Sequence, residues 1–231
     1  MDYLLQGFLQ GFVLIFSGDS ETYSAIWATV GASTMSMVCS LAIGIPLGFL
    51  LGYKSFPGKR VVRTMVDTLL SFPTVVIGLL VYAFLTHRGP LGSTGLLFSL
   101  PGIAMGQTIL GLPIIIAMTA TAVEALDRRL SMTLITLGAN SRQILWATVV
   151  EARFSIMLAA VAAYGRIVSE VGISMMVGGN IKWHTRTITT AIALETGKGE
   201  FAVGIALGMV LLAVALTVNI LAAGLKKKAV K

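Results

Sequence analysis

The chain has 231 residues, 56% hydrophobic and only 12% charged, with a mean hydropathy of +0.89. A water-soluble domain carries about twice that share of charge, so this much apolar surface requires a bilayer. The formal net charge is +7, but most Lys and Arg sit in short segments beside uncharged runs, which is an orientation signal and not a nucleic-acid footprint. The single cysteine, Cys39, lies inside an apolar run; this excludes an intrachain disulfide and a thiolate metal cluster.

Residues 3–16 are apolar but interrupted by Gln6, Gly7, Gln10 and Gly11, and Gln6 and Gln10 share one helix face. The run is shorter than the roughly 20 residues a span needs. It reads as an interfacial or steeply inserted helix, with a full crossing as the alternative. No Lys or Arg precedes it and no clear A-x-A site follows, unlike a secretory signal. Asp19 and Glu21 fit the outer side. Residues 22–53 carry no charge and make a tilted span, with Gly44, Pro46 and Gly48 near its inner end, where a kink or close helix contact is expected. Lys54, Lys59, Arg60 and Arg63 mark a cytoplasmic turn. The next span covers 69–85 with Pro73 inside it and Asp67 at its inner end; His87-Arg88-Gly89-Pro90-Leu91-Gly92-Ser93 is an outer turn. A third span covers about 103–123, with Gly111 and Pro113 inside.

The segment 124–153 breaks the pattern. Arg128, Arg129, Arg142 and Arg153 place it in the cytoplasm. Leu130, Leu134 and Leu137 recur at helical spacing, and Gly138-Ala139-Asn140-Ser141 then interrupts the helix. Asn140 or Ser141 N-caps a second helix carrying Ile144, Leu145, Trp146 and Val149. Two short helices with an apolar face, hung beneath a membrane domain, suit a groove on another protein. Residues 154–177 cross again, interrupted by Arg166 and Glu170. An outer segment follows with Lys182, His184, Arg186, Glu195, Lys198 and Glu200, and 201–225 form the last span before Lys226-Lys227-Lys228. Twelve Lys and Arg fall in the inner loops and tail against four in the outer segments. The expectation is an all-α, polytopic bundle, a single membrane domain over 1–231. It has five spans, or six if residues 3–16 cross, and a cytoplasmic carboxyl end.

Catalytic chemistry finds little support. No G-x-x-x-x-G-K-[ST] phosphate loop is present; Gly52 to Lys59 approaches it with the wrong spacing, and Arg60 follows the lysine. His87 and His184, the only histidines, lie in outer loops, and no His, Cys and carboxylate set has metal-ligand spacing. No cofactor is expected in this chain.

Two stretches carry a family resemblance. ABC-importer permeases share a cytoplasmic motif, E-A-A, three residues, a glycine, nine more, then I-x-L-P. Gly138 in Leu137-Gly138-Ala139 fits the glycine, with Met132, Thr133 and Leu134 at the Glu-Ala-Ala positions and Val150 and Glu151 at the Leu-Pro positions. The glycine and amphipathic frame match, and the letters do not. More specific is Arg166-Ile167-Val168-Ser169-Glu170-Val171-Gly172, followed by Val177-Gly178-Gly179-Asn180-Ile181 and Thr185-Arg186-Thr187. It resembles the R-x-x-G-E-F-G, A-G-N-I and R-T-Q-T runs of molybdate/tungstate/sulfate-type permeases. Gly89-Pro90-Leu91-Gly92 is similar to that group too, and TITTAIALETGKGE from Thr187 looks most like its tungstate-specific branch.

The resemblance implies a permease of the type I ABC-importer kind, in the inner or plasma membrane. It would work as a homodimer, with ATP and Mg on separate ATP-binding cassette subunits and an extracytoplasmic oxyanion-binding protein as a further partner. Leu130, Met132, Thr133, Leu134, Leu137, Gly138, Ala139 and Asn140 would couple to the ATPase. Arg166, Glu170, Gly172 and Asn180 would border the path or gate, with Glu170 neutralised by Arg166, four residues away on one helix, or by a neighbouring chain. Intramembrane charges are functional candidates by default, and a mutually neutralising structural pair is the simpler alternative. Lys182 and Arg186, with His184, would form an outer basic cluster that draws in an anion or meets the binding protein; solvated loop charges are the alternative there. Molybdate or sulfate could replace tungstate as substrate. A gradient-driven transporter and a membrane scaffold are the remaining readings.

Overall fold

The computed structural model describes residues 7, 9, 12, 13, 16–126 and 128–229, with the backbone alone at 128–131, 141 and 221–229. Whether residues 3–16 cross the membrane lies outside the described residues.

The described residues form helices joined by turns and loops, without strands. Helix α1 (Ser20–Tyr53) starts where the Asp19 carboxylate accepts the Thr22 N–H at 2.8 Å and the Thr22 hydroxyl at 2.6 Å. After an inner turn come α2 (Lys59–Leu70) and α3 (Thr74–Leu85). Helix α4 (Leu100–Glu124) is capped by the Ser99 hydroxyl on Gly102 N. The chain continues through α5 (Arg128–Thr136), α6 (Ser141–Val168), α7 (Gly172–Gly178), α8 (Ile188–Gly197) and α9 (Phe201–Ala229).

The bundle is built on the α1–α4 pair. Ala25, Ala28, Thr29, Ala32, Ser33, Ser36, Ser40, Gly44 and Gly48 recur every three or four residues along α1 and are buried. Apolar lipid gives helices no hydrophobic reason to associate, so small residues that admit close packing take that role. At Gly48 a Cβ would stand 2.6 Å from the Ile116 carbonyl oxygen and 2.7 Å from Thr119 Cβ, so only glycine fits. Helix α6 joins this pair midway through Met37, Ile115, Ala159, Ala163 and Ile167, and lower down through Phe49, Val123, Ala152 and Ile156. A further cluster packs Ile77 and Val81 of α3 on Leu110 of α4 and on Ile173 and Val177 of α7.

The structure corrects several span boundaries. Four helices are long and apolar enough to cross, namely Ser20–Tyr53, Leu100–Glu124, Arg142–Val168 and Phe201–Ile220. The expected span 69–85 is instead two helices meeting at 96°. Pro73 cannot donate to a preceding carbonyl and so ends α2 and heads α3. Counted as one crossing, this bent pair gives the fifth span. The expected span 154–177 is likewise broken: α6 runs unbroken from Ser141 to Val168, stops at Ser169-Glu170-Val171, and α7 follows. Residues expected to be an outer loop include α8, whose Ile188, Thr189, Thr190 and Ala191 are buried.

Candidate functional site

Three places gather the residues singled out from the sequence. The first is the inner segment. Helix α5 ends at Gly138, whose φ of +79° is open to glycine at low cost. Ala139 N donates to Leu134 O at 2.9 Å and Gly138 N to Ile135 O at 3.0 Å, the Schellman pattern that satisfies the last carbonyls. Asn140 then caps α6: Gln143 N donates to Asn140 Oδ1 at 3.0 Å and Asn140 N to Gln143 Oε1 at 2.8 Å. This turn leaves apolar side chains uncovered, with Met132 63%, Ile135 58%, Leu137 77% and Trp146 67% exposed. Thr133 and Gly138 are exposed, and Leu134 and Ala139 half-buried; the Leu130 side chain lies outside the described residues. Glu124 belongs to the end of α4 and not to this segment. It pairs with Lys59 at 3.0 Å and Arg63 at 3.5 Å, tying the inner turn to α4.

The second place is the break after α6. Arg166 and Glu170 do not share a helix, and among the described residues no ion pair joins them. Arg166 lies in the last turn of α6 and is exposed. Glu170 is 5% exposed and turns inward. Its Oε1 accepts Ile173 N at 3.3 Å, and its carbonyl oxygen accepts the Thr189 hydroxyl at 2.9 Å and the Ser174 hydroxyl at 3.3 Å. Gly172 lies against this carboxylate: a Cβ there would be 3.3 Å from Glu170 Oε1 and 3.6 Å from Thr74 Oγ1 at the head of α3. Glu170 thus sits where both broken helices restart.

The third place is the outer cluster. Lys182 Nζ lies 2.7 Å from Glu21 Oε2 and Arg186 Nη1 2.5 Å from Glu21 Oε1. Arg186 Nε also donates to Asn180 Oδ1 at 3.2 Å. Asn180 has a φ of +50° and serves this outer turn rather than the break at Glu170. His184 is exposed.

A buried polar seam was not singled out from the sequence. Thr29, Ser33, Ser36 and Ser40 lie on one face of α1 and are all nearly or fully buried, as is Gln107 of α4. Thr29 Oγ1 accepts Ile188 N at 2.9 Å, anchoring the start of α8. Their spacing of four, three and four within an uncharged run was the available signal.

Comparison with known proteins fits this geometry. The family described as "binding-protein-dependent transport system inner membrane component" matches residues 44–231. The tungstate uptake system permease protein TupB of Campylobacter jejuni is 46% identical over 98% of this chain and 95% of its own length. TupB of Peptoclostridium acidaminophilum is 34% identical over 95% and 96%. A probable anion ABC transporter permease of Haloferax volcanii is 42% identical over 83% of this chain and 84% of its own. Among solved structures, a bacterial alginate ABC transporter bound to its periplasmic protein superposes with a TM-score of 0.77 at 20% identity, over 99% of this chain and 87% of that one. The inward-facing MetNI methionine transporter gives 0.73 at 18%, over 90% and 96%. The helical architecture is that of the type I ABC-importer permeases. The chain belongs to the family of binding-protein-dependent transport system inner membrane components.

Proposed function

We propose that this chain is the membrane permease of an ABC importer for a tetrahedral oxyanion, with tungstate as the preferred substrate. The observation that carries the reading is the identity, at 46% over nearly the whole of both chains, to a tungstate uptake permease. ATP is hydrolysed by separate subunits. The exposed Met132, Ile135 and Leu137, turned at Gly138, fit a groove on such a subunit. Because α6 continues without interruption from the Asn140 cap into the membrane, a push on this segment is delivered along the helix whose last turn holds Arg166. Two copies related by a twofold axis enclose the path and alternate its access, with the carboxyl end in the cytoplasm. A binding protein outside supplies the oxyanion, so selectivity rests chiefly with that partner, and the permease route is transient and weak. Glu170 is a structural group in this scheme: its carboxylate is taken up by backbone N–H and faces the restart of two helices.

The test is uptake of labelled tungstate by proteoliposomes carrying the complete importer, in competition with molybdate and sulfate. Tungstate is expected to compete best. Equal competition by sulfate contradicts the substrate assignment and leaves an oxyanion importer of broader range.

A further inference from the structure

The two charges at the end of α6 have separate surroundings, and Arg166 is the one whose side chain has no partner among the described residues. Its neighbour Ile167 packs with Met37 and Ile115, near the middle of α1 and α4, so the guanidinium lies deep in the membrane. Among the described residues it forms no ion pair and no side-chain hydrogen bond, and Glu170 is turned away from it. An arginine facing lipid at that depth is costly, so such a residue faces the bundle interior or a water-filled cavity. The face around it is not a lipid face either. Ala162, Gly165 and Ser169, exposed beside Arg166 on the same side of α6 at spacings of three and four, are all small or polar, and the first large apolar side chain on that stripe is Leu158, 57% exposed one turn before Ala162. A Cβ on Gly165 would meet nothing within 4 Å. By contrast, the open side of α9 presents Leu212 at 68%, Leu216 at 57% and Ile220 at 61% exposure, as hydrocarbon contact requires.

We infer that Arg166 is the anion-contacting residue of the translocation path, on a wetted α6 face that a second copy of this chain closes. The inference rests on the oxyanion-importer reading above. Charge favours the second copy as the occupant: one guanidinium leaves a dianion half neutralised, whereas a twofold pair balances it. A guanidinium presents a planar fork of N–H donors that two oxygens of a tetrahedral oxyanion accept together, which a lysine does not reproduce. The Ser169 hydroxyl donates to the Arg166 carbonyl at 3.1 Å, closing the helix end beneath it. Each contact is made by one side chain in water, which suits a site that must let go.

The experiment uses the complete importer in proteoliposomes, in a Cys39→Ser background. Ala162→Cys, Ser169→Cys and the lipid-facing Leu216→Cys are each treated with a charged, membrane-impermeant thiol reagent, with and without sodium tungstate. The first two are expected to react, more slowly with tungstate present, and Leu216→Cys to remain unmodified. In the native background Arg166→Gln is expected to lower the rate of tungstate uptake at saturating loaded binding protein by roughly ten- to a hundredfold while still co-purifying with the ATPase, and Arg166→Lys to recover part of the loss. Inert cysteines at 162 and 169, or an Arg166→Gln importer with an unchanged saturating rate, overturn the inference. If the unmodified importer moves no tungstate, molybdate or sulfate with ATP, the oxyanion reading itself fails.

Discussion

The guanidinium of Arg186 meets the Glu21 carboxylate at 2.5 Å, fastening the turn before α8 to the head of α1. The Arg186 side chain is 15% exposed and that of Glu21 39%, so solvent screens part of the attraction. Arg186→Met is expected to lower stability by about 1 kcal/mol. Lys182→Met, at a partner 48% exposed, should cost less. Urea or thermal unfolding in detergent, with Glu21→Gln completing a double-mutant cycle, measures the coupling. If the cluster served only to attract anions, the variants would show no coupling and would instead slow uptake at low salt.

Gly48 tests the close packing of α1 on α4. Gly48→Ala forces a Cβ into the Ile116 carbonyl and Thr119 and is expected to cost about 1–3 kcal/mol. Gly31→Ala on the same helix meets nothing within 4 Å and should be neutral or slightly stabilising. Unfolding midpoints of the two variants, compared side by side, check the difference.

At the inner turn two variants separate folding from docking. Asn140→Ala removes the Oδ1 acceptor of Gln143 N, the side-chain half of the capping box, and should destabilise the head of α6 by about 1 kcal/mol. Leu137→Arg changes a side chain already 77% exposed and should leave the unfolding midpoint unchanged while abolishing co-purification of the ATPase. Retention of the ATPase by Leu137→Arg would show that this surface is not the docking site.

Thr29 probes the buried seam. Thr29→Val keeps the shape but leaves Ile188 N without its acceptor, at an expected cost of about 1–3 kcal/mol. Thr29→Ser should recover most of it. Amide exchange at the start of α8, read by mass spectrometry, reports the same loss locally.

Long uncharged runs made the membrane class legible, and Asn140 caps α6 as its position before a helical run implied. Breaks within spans were harder to read, because the signal is a short backbone event inside a continuous apolar run. Pro73 was visible, but a proline inside a helix can bend it slightly or end it, and here it accompanies a turn of 96°. At Ser169-Glu170-Val171 the letters carry no breaker at all, so a four-residue interval suggested one helix and an ion pair. The partners of Glu170 are Ile173 N, Ser174 and Thr189, contacts set by the fold. Lys182 and Arg186 gave no hint of Glu21, more than 150 residues earlier in the chain, because long-range pairing is not written in local spacing. The seam on α1 was written there, as four hydroxyl residues on one helix face.

The most direct measurement is uptake of labelled tungstate into proteoliposomes holding this chain with and without its companion ATPase, at fixed ion gradients and with the binding protein present. Uptake that requires both the ATPase and hydrolysable ATP is the expected result. Uptake by this chain alone, or unaffected when ATP is withheld, would contradict the account.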